Sequence, residues 1–176
     1  MKTVQVRALV AAALLAGSIP AAVAGEVIGN TYISEKDGVI EVVAEGWNIK
    51  DTETAGKAEL AELTPKESID GFRPVISINR FANPGGQIEP DWFLQQIREG
   101  LVKEGAEVQP IETRRIAGKC VMVLQYSMTK GGGKANGLIY MMQGDKSLYW
   151  TNFNANVVVW ERTRPMFDEV MERVKY

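Results

Sequence analysis

Between Cys120 and Phe153, three β-prone stretches follow one another with only a few residues between them. In the first, Cys120 to Thr129, residues Cys120, Met122, Leu124, Tyr126 and Met128 fall on one face by the two-residue strand period. Lys130 to Lys134 is a glycine-rich loop, Ala135 to Gln143 is the second stretch, Gly144-Asp145-Lys146 turns the chain, and Ser147 to Phe153 is the third. Connections that short join antiparallel neighbours, because a parallel crossover needs about a dozen residues or more. The rest of the chain must therefore be built around an antiparallel sheet.

Further strands are expected upstream. Thr31 to Ser34 and Val39 to Ala44 flank Lys36-Asp37-Gly38, which reads as an Asp-Gly hairpin turn. The chain loosens after Gly46-Trp47. Thr52 to Leu63 has helical composition, but Gly56 and a period near three fit neither template. Lys66 to Gly71 is a polar loop. Pro74 to Phe81 is a strand with Ile76 and Ile78 on the core face and Ser77 and Asn79 opposite. Asn83-Pro84-Gly85-Gly86 ends it. Val108 to Ile116 is a weak strand, closed by Ala117-Gly118-Lys119.

Two helices are expected. Pro90 to Lys103 opens with Pro90 and Asp91, which suit a helix N-terminus, and repeats Phe93, Ile97 and Leu101 with Leu94 alongside. Gly105 supplies its stop. The second helix is read with Thr163 as cap, Pro165 in the first turn, and Met166, Phe167, Val170 and Val174 inward. Asn154 to Trp160 is read as irregular. Hairpins without βαβ alternation give an α+β class, an antiparallel β-sheet flanked by helices.

The first 24 residues read as a cleavable secretory signal. Lys2 and Arg7 precede the apolar stretch Ala8 to Ala16, and Ala22-Val23-Ala24 places small residues before Gly25. The apolar stretch is too short to span a bilayer, which takes roughly 20 apolar residues. The expected organisation is a leader, 1–24, and one domain, 25–176, without a transmembrane segment. The expected location is the periplasm, the extracellular space or a lumenal equivalent. The 176-residue chain carries 20 basic and 22 acidic residues, and the leader removes two of the bases. A mildly acidic domain has no electrostatic case for nucleic acid. The single cysteine, Cys120, cannot close an internal disulfide, and among Val121 to Leu124 it reads as a small buried hydrophobe. The chain has no histidine, which excludes Ser-His-Asp and Cys-His catalysis and His-ligated zinc.

The ordered set of motifs resembles the PsbP-like superfamily, with its PsbP, DcrB and LpqN-type groups. The matching pieces are the Tyr32 strand before Asp37-Gly38, Gly46-Trp47, Gly71-Phe72-Arg73-Pro74 leading into a strand, Ala117-Gly118-Lys119 entering a long strand, Tyr149-Trp150, and a last helix near Pro165. The resemblance covers nearly all of residues 30–174. It implies an α/β/α sandwich and a binding or assembly role in place of catalysis. The lipid-anchoring cysteine of the lipoprotein groups is missing, as are the histidines that could hold metal in PsbP proteins. No metal and no cofactor is expected.

Gly131-Gly132-Gly133-Lys134 resembles a phosphate loop only superficially, since Ala135 follows the lysine and a strand follows the loop. The more informative stretch is Trp150-Thr151-Asn152-Phe153-Asn154-Ala155-Asn156, where amides alternate with aromatic rings. Trp150, Asn152, Asn154 and Trp160 are the candidate binding residues; turn-forming asparagines and core aromatics are the simpler account of them. The functional expectation is an exported, non-enzymatic binding or accessory protein with an envelope protein partner. The alternatives are a sugar- or peptide-binding protein and a hydrolase using two carboxylates about 5–10 Å apart.

Overall fold

The computed structural model describes residues 25–35, 39–54, 57–130 and 132–176. The leader, the Lys36-Asp37-Gly38 turn, Gly56 and Gly131 lie outside the described residues. Strands β1 (Glu26–Ile28), β2 (Thr31–Ser34) and β3 (Ile40–Val43) form a small antiparallel sheet. The remaining strands form an eight-stranded antiparallel sheet: β4 (Trp47–Asp51), β5 (Glu59–Pro65), β6 (Val75–Ala82), β7 (Glu107–Val108), β8 (Glu112–Ile116), β9 (Lys119–Lys130), β10 (Gly133–Gln143) and β11 (Ser147–Asn156). Its order is β4-β5-β6-β11-β10-β9-β7, with β8 also paired to β9. The weak strand expected at Val108 to Ile116 is thus two short strands on one long neighbour. Pro110, which has no N–H to give a ladder, lies between them.

One face of the large sheet packs on helix α1 (Pro90–Lys103). Phe93, Leu94, Ile97 and Leu101 meet Leu124, Met128, Ile139, Met141, Leu148 and Trp150. The other face carries helix α2 (Trp160–Glu172) together with the small sheet, and its core includes Ile76, Ile78, Leu138, Tyr140, Phe153 and Phe167. The fold is α+β, with antiparallel sheets and two helices packed on them. Because both faces are covered, residues 137–142 of β10 and 147–153 of β11 are buried without a break.

Local chemistry sets the boundaries. α1 ends in a Schellman motif: Gly105 sits at φ +85°, its N–H donates to the Val102 carbonyl, and the Ala106 N–H donates to the Leu101 carbonyl. Thr52 to Leu63 resolves into a loop and strand β5. A bulge between Glu59 and Ala61 places both Leu60 and Ala61 in the core, which is why neither simple period fits the segment. β11 runs on to Asn156, pairing with Ala135, so the irregular segment is only Val157 to Val159.

Three expectations need correction. α2 starts at Trp160, not after Thr163, and Pro165 lies inside it. Thr163 is fully buried and donates its hydroxyl to the Trp160 carbonyl, a bond within the helix instead of a cap. Cys120 is exposed, not buried. It pairs with Arg115 of the short strand β8, at the end of β9 beyond the core residues that α1 contacts.

Phe167 stacks on Phe153 at 4.7 Å and meets Tyr140 edge-on at 5.0 Å. Phe167→Ala should cost about 3–5 kcal/mol in urea unfolding, the usual range for emptying such a position. A loss below about 1 kcal/mol would mean that α2 is not seated as described.

Candidate functional site

Asn152 and Asn154 lie two apart on β11, so they share the α1 face of the sheet with Trp150. Two strands away, Tyr126 on β9 crosses over Gly137 of β10, its direct partner in register. A Cβ at Gly137 would stand 2.2 Å from the ring of Tyr126. Only glycine therefore lets the ring cross its neighbour and reach β11. The Tyr126 hydroxyl meets Asn152 Oδ1 at 3.0 Å and Asn154 Oδ1 at 2.5 Å. With both oxygens turned to the hydroxyl, the amide N–H2 groups remain; among the described residues neither has a partner. Asn79 on β6 adds a third amide, donating to the Trp150 carbonyl and to Ser77 Oγ, each at 3.3 Å.

Burial pushes the Tyr126 hydroxyl up to about 12, against the opposing pull of its two amide partners. Burial also pushes Tyr140 up to about 12, helped by the Asp168 carboxylate that accepts its hydroxyl at 3.1 Å. A tyrosine whose folded pKa stands above its unfolded value of about 10 adds stability below pH 10 that is lost as pH rises towards 12.

The predicted site residues separate. Trp150 packs against Phe93 at 5.3 Å and is only 9 % exposed, so it is part of the core under α1 and offers no open ring. Trp160 lies on the opposite face, stacked on Phe153 at 5.4 Å. Odd and even positions of β11 point to opposite sides, and Phe153 takes Trp160 with it. Asn152 and Asn154 stay together with Tyr126, a residue for which the strand period predicts a face but no role.

A second polar cluster lies between the two sheets and was missed. The core face of β6 continues from Ile76 and Ile78 to Arg80, whose Nη2 donates to Glu53 Oε1 at 2.7 Å and whose Nη1 donates to Ser34 Oγ at 3.2 Å. Glu53 Oε2 accepts from Ser34 at 3.0 Å and from Tyr32 at 3.3 Å. The paired side chains are 7 % and 4 % exposed. Only the charge of Arg80, at a position where the strand period demands an apolar residue, signals this cluster in the sequence. With Arg80, Ser34 and Tyr32 on its carboxylate, Glu53 is committed to binding the sheets together. A third feature is a cavity of about 210 Å³ beside β8 and β9, lined by Gln109, Pro110, Glu112, Arg114, Val123 and Gln125. Arg114 is tied to Glu112 there at 2.9 Å.

Among the described residues no three side chains of the metal-ligating types converge, and no helix is long and apolar enough to cross a membrane.

No family model matches the chain, and no curated protein matches it in sequence. Solved structures do match. Cyanobacterial PsbP (CyanoP) from Synechocystis sp. PCC 6803 superposes with a TM-score of 0.60 at 17 % identity, over 92 % of this chain and 98 % of that one. PA94 of Pseudomonas aeruginosa, a protein of unknown function, gives 0.56 at 14 % identity, over 84 % and 98 %. LpqN, involved in cell envelope biogenesis of Mycobacterium tuberculosis, gives 0.54 at 14 % identity, over 77 % and 82 %. The chain has a PsbP-like fold.

Two substitutions test the clusters. Tyr126→Phe should cost about 1–3 kcal/mol near neutral pH, because the amide oxygen that accepts the one Tyr126 O–H loses its donor. It should also flatten the fall in stability between about pH 10 and pH 12. Urea titrations at about pH 8 and about pH 11 read both effects; an unchanged alkaline slope would contradict the assignment. Arg80→Ala should cost about 3–5 kcal/mol by leaving Glu53 buried without its cation.

Proposed function

We propose that this chain is an exported accessory protein of the cell envelope, or of an equivalent lumenal space, that acts by binding another protein and not by catalysis. The observation that carries this reading is the fold, shared over 92 % of this chain and 98 % of cyanobacterial PsbP. The likeness to LpqN, a protein of cell envelope biogenesis, and the leader-like first 24 residues support the same location. Local chemistry supports contact over turnover. Glu53 is saturated by three partners, and Asp51 accepts the Glu53 N–H at 2.9 Å. That leaves this carboxylate pair unsuited to the hydrolase alternative.

Several large apolar side chains are exposed among the described residues, Ile28, Val39 and Val102 included, and two of them mark the rim. Trp92 on α1 is 55 % exposed and Val158, at the corner before α2, is 68 % exposed. Apolar side chains in such positions are the natural points for partner contact.

A second reading keeps the small-ligand alternative at Tyr126, Asn152 and Asn154, where two amide N–H2 groups lie side by side. It lacks the aromatic platform that a sugar site uses, since Trp150 and Trp160 are both packed in cores.

Photo-crosslinking residues placed at position 92 or 158, with position 50 as control, distinguish the readings in the native envelope. A discrete adduct at 92 or 158, unchanged by Asn152→Ala with Asn154→Ala, is the expected result. A chain that stays free at both positions, yet gains several degrees of thermal stability from a sugar or peptide in an Asn152-dependent way, would overturn it.

A further inference from the structure

The residue at which the leader reading places the new N-terminus has an unusual environment. Gly25 immediately precedes β1, and the register that pairs Glu26 with Ile33 carries it opposite Ser34. A Cβ on Gly25 would stand 2.3 Å from the Tyr32 hydroxyl oxygen and 2.4 Å and 2.5 Å from two of its ring carbons. Tyr32 is fully buried and held by Glu53, so the ring cannot step aside cheaply. With backbone bonds of about 1.5 Å, the Gly25 Cα lies within about 4 Å of that oxygen, and its nitrogen within about 5.5 Å.

Among the described residues, the cluster near that nitrogen holds two carboxylates and one ion-paired cation. Asp51 accepts the Glu53 N–H, and Arg80 is the cation paired with Glu53. The Tyr32 hydroxyl is held above its ordinary range by burial and then by the charges of Glu53 and Asp51. Both acids therefore bear on the Tyr32 hydroxyl, beside which Gly25 lies. In a precursor the Gly25 nitrogen is a neutral amide. After cleavage it is an α-ammonium, charged at neutral pH because such groups titrate near 8.

We propose that Tyr32 and Asp51, beside the already paired Glu53, form the receptor for the α-ammonium that leader cleavage creates on Gly25, so that processing adds a stabilising contact the precursor lacks. The proposal rests on the reading of residues 1–24 as a cleaved signal. It accounts for a requirement on each side of the contact: glycine at 25, because any side chain meets Tyr32, and a carboxylate, Asp51, outside the Arg80–Glu53 pair.

The test compares the chain beginning at Gly25 with a free amine against the same chain acetylated on that amine. Acetylation should lower the thermal midpoint near neutral pH by roughly 2–4 °C. In an Asp51→Asn background the effect of acetylation should shrink to less than half, the coupling that a direct charge contact requires. A bulk effect of the acetyl group would persist unchanged in Asp51→Asn and would overturn the proposal, as would equal midpoints for the free and acetylated chains. Mass spectrometry of the envelope protein reads the leader separately. A first residue other than Gly25 overturns the leader reading and this proposal together, whereas Gly25 with equal midpoints overturns this proposal alone.

Discussion

The large sheet is covered on both faces, and every polar group it turns inward has to be answered inside the protein. Strands β10 and β11 run through the middle with unbroken buried stretches, so water is not the partner. The solutions differ from place to place. Thr151 directs its hydroxyl to the Met171 sulfur at 3.1 Å, Tyr140 finds Asp168, and Asn79 finds a neighbouring carbonyl. Arg80 brings Glu53 and Ser34 to it and so welds the small sheet onto the large one. Breaking such a buried pair costs far more than its net contribution, because the remaining charge is left in a medium that cannot solvate it. The same constraint fixes the chain's last residues: Lys175 pairs with Glu41 through backbone bonds of 2.9 Å in both directions and closes the outer edge of β3.

Local signals in the sequence were read correctly where a single element decides its own shape. Helix α1 runs from Pro90 to Lys103 as its proline, aspartate and four-residue apolar repeat predict. Ile76 and Ile78 lie on the core face of β6 because strand alternation leaves no other choice. The failures arise where a distant partner decides. The bulge in β5 exists to match β6, and no local pattern encodes it. Cys120 has the neighbours of a core residue, yet it stands at the end of β9 beyond the core under α1. Thr163 has the chemistry of a cap, but Trp160 packing on Phe153 draws the helix start three residues earlier.

The candidate site divides along the same line. Period two alone puts Asn152 and Asn154 on one face and separates them from Phe153. That Tyr126 reaches them depends on Gly137, a glycine on the strand between, and the pairing register is a property of the assembled sheet. Glu53 and Arg80 are 27 positions apart, and no spacing rule joins them. The fold was legible because the same order of elements occurs in chains only 14–17 % identical to this one, with TM-scores above 0.5. Function is carried by surface residues, which a shared fold does not fix.

Polar side chains of the sheet serve the structure, and under the proposed function the rim is where a partner would bind. Nitrogen-15 labelled chain beginning at Gly25, titrated with detergent-solubilised envelope, tests this division most directly. The account predicts selective loss of amide signals near Trp92 and around Val157 and Val158, with those of Tyr126, Gly137, Asn152 and Asn154 unmoved. Signals that shift only at Tyr126, Gly137, Asn152 and Asn154 would contradict it and place the working site on the face of the sheet.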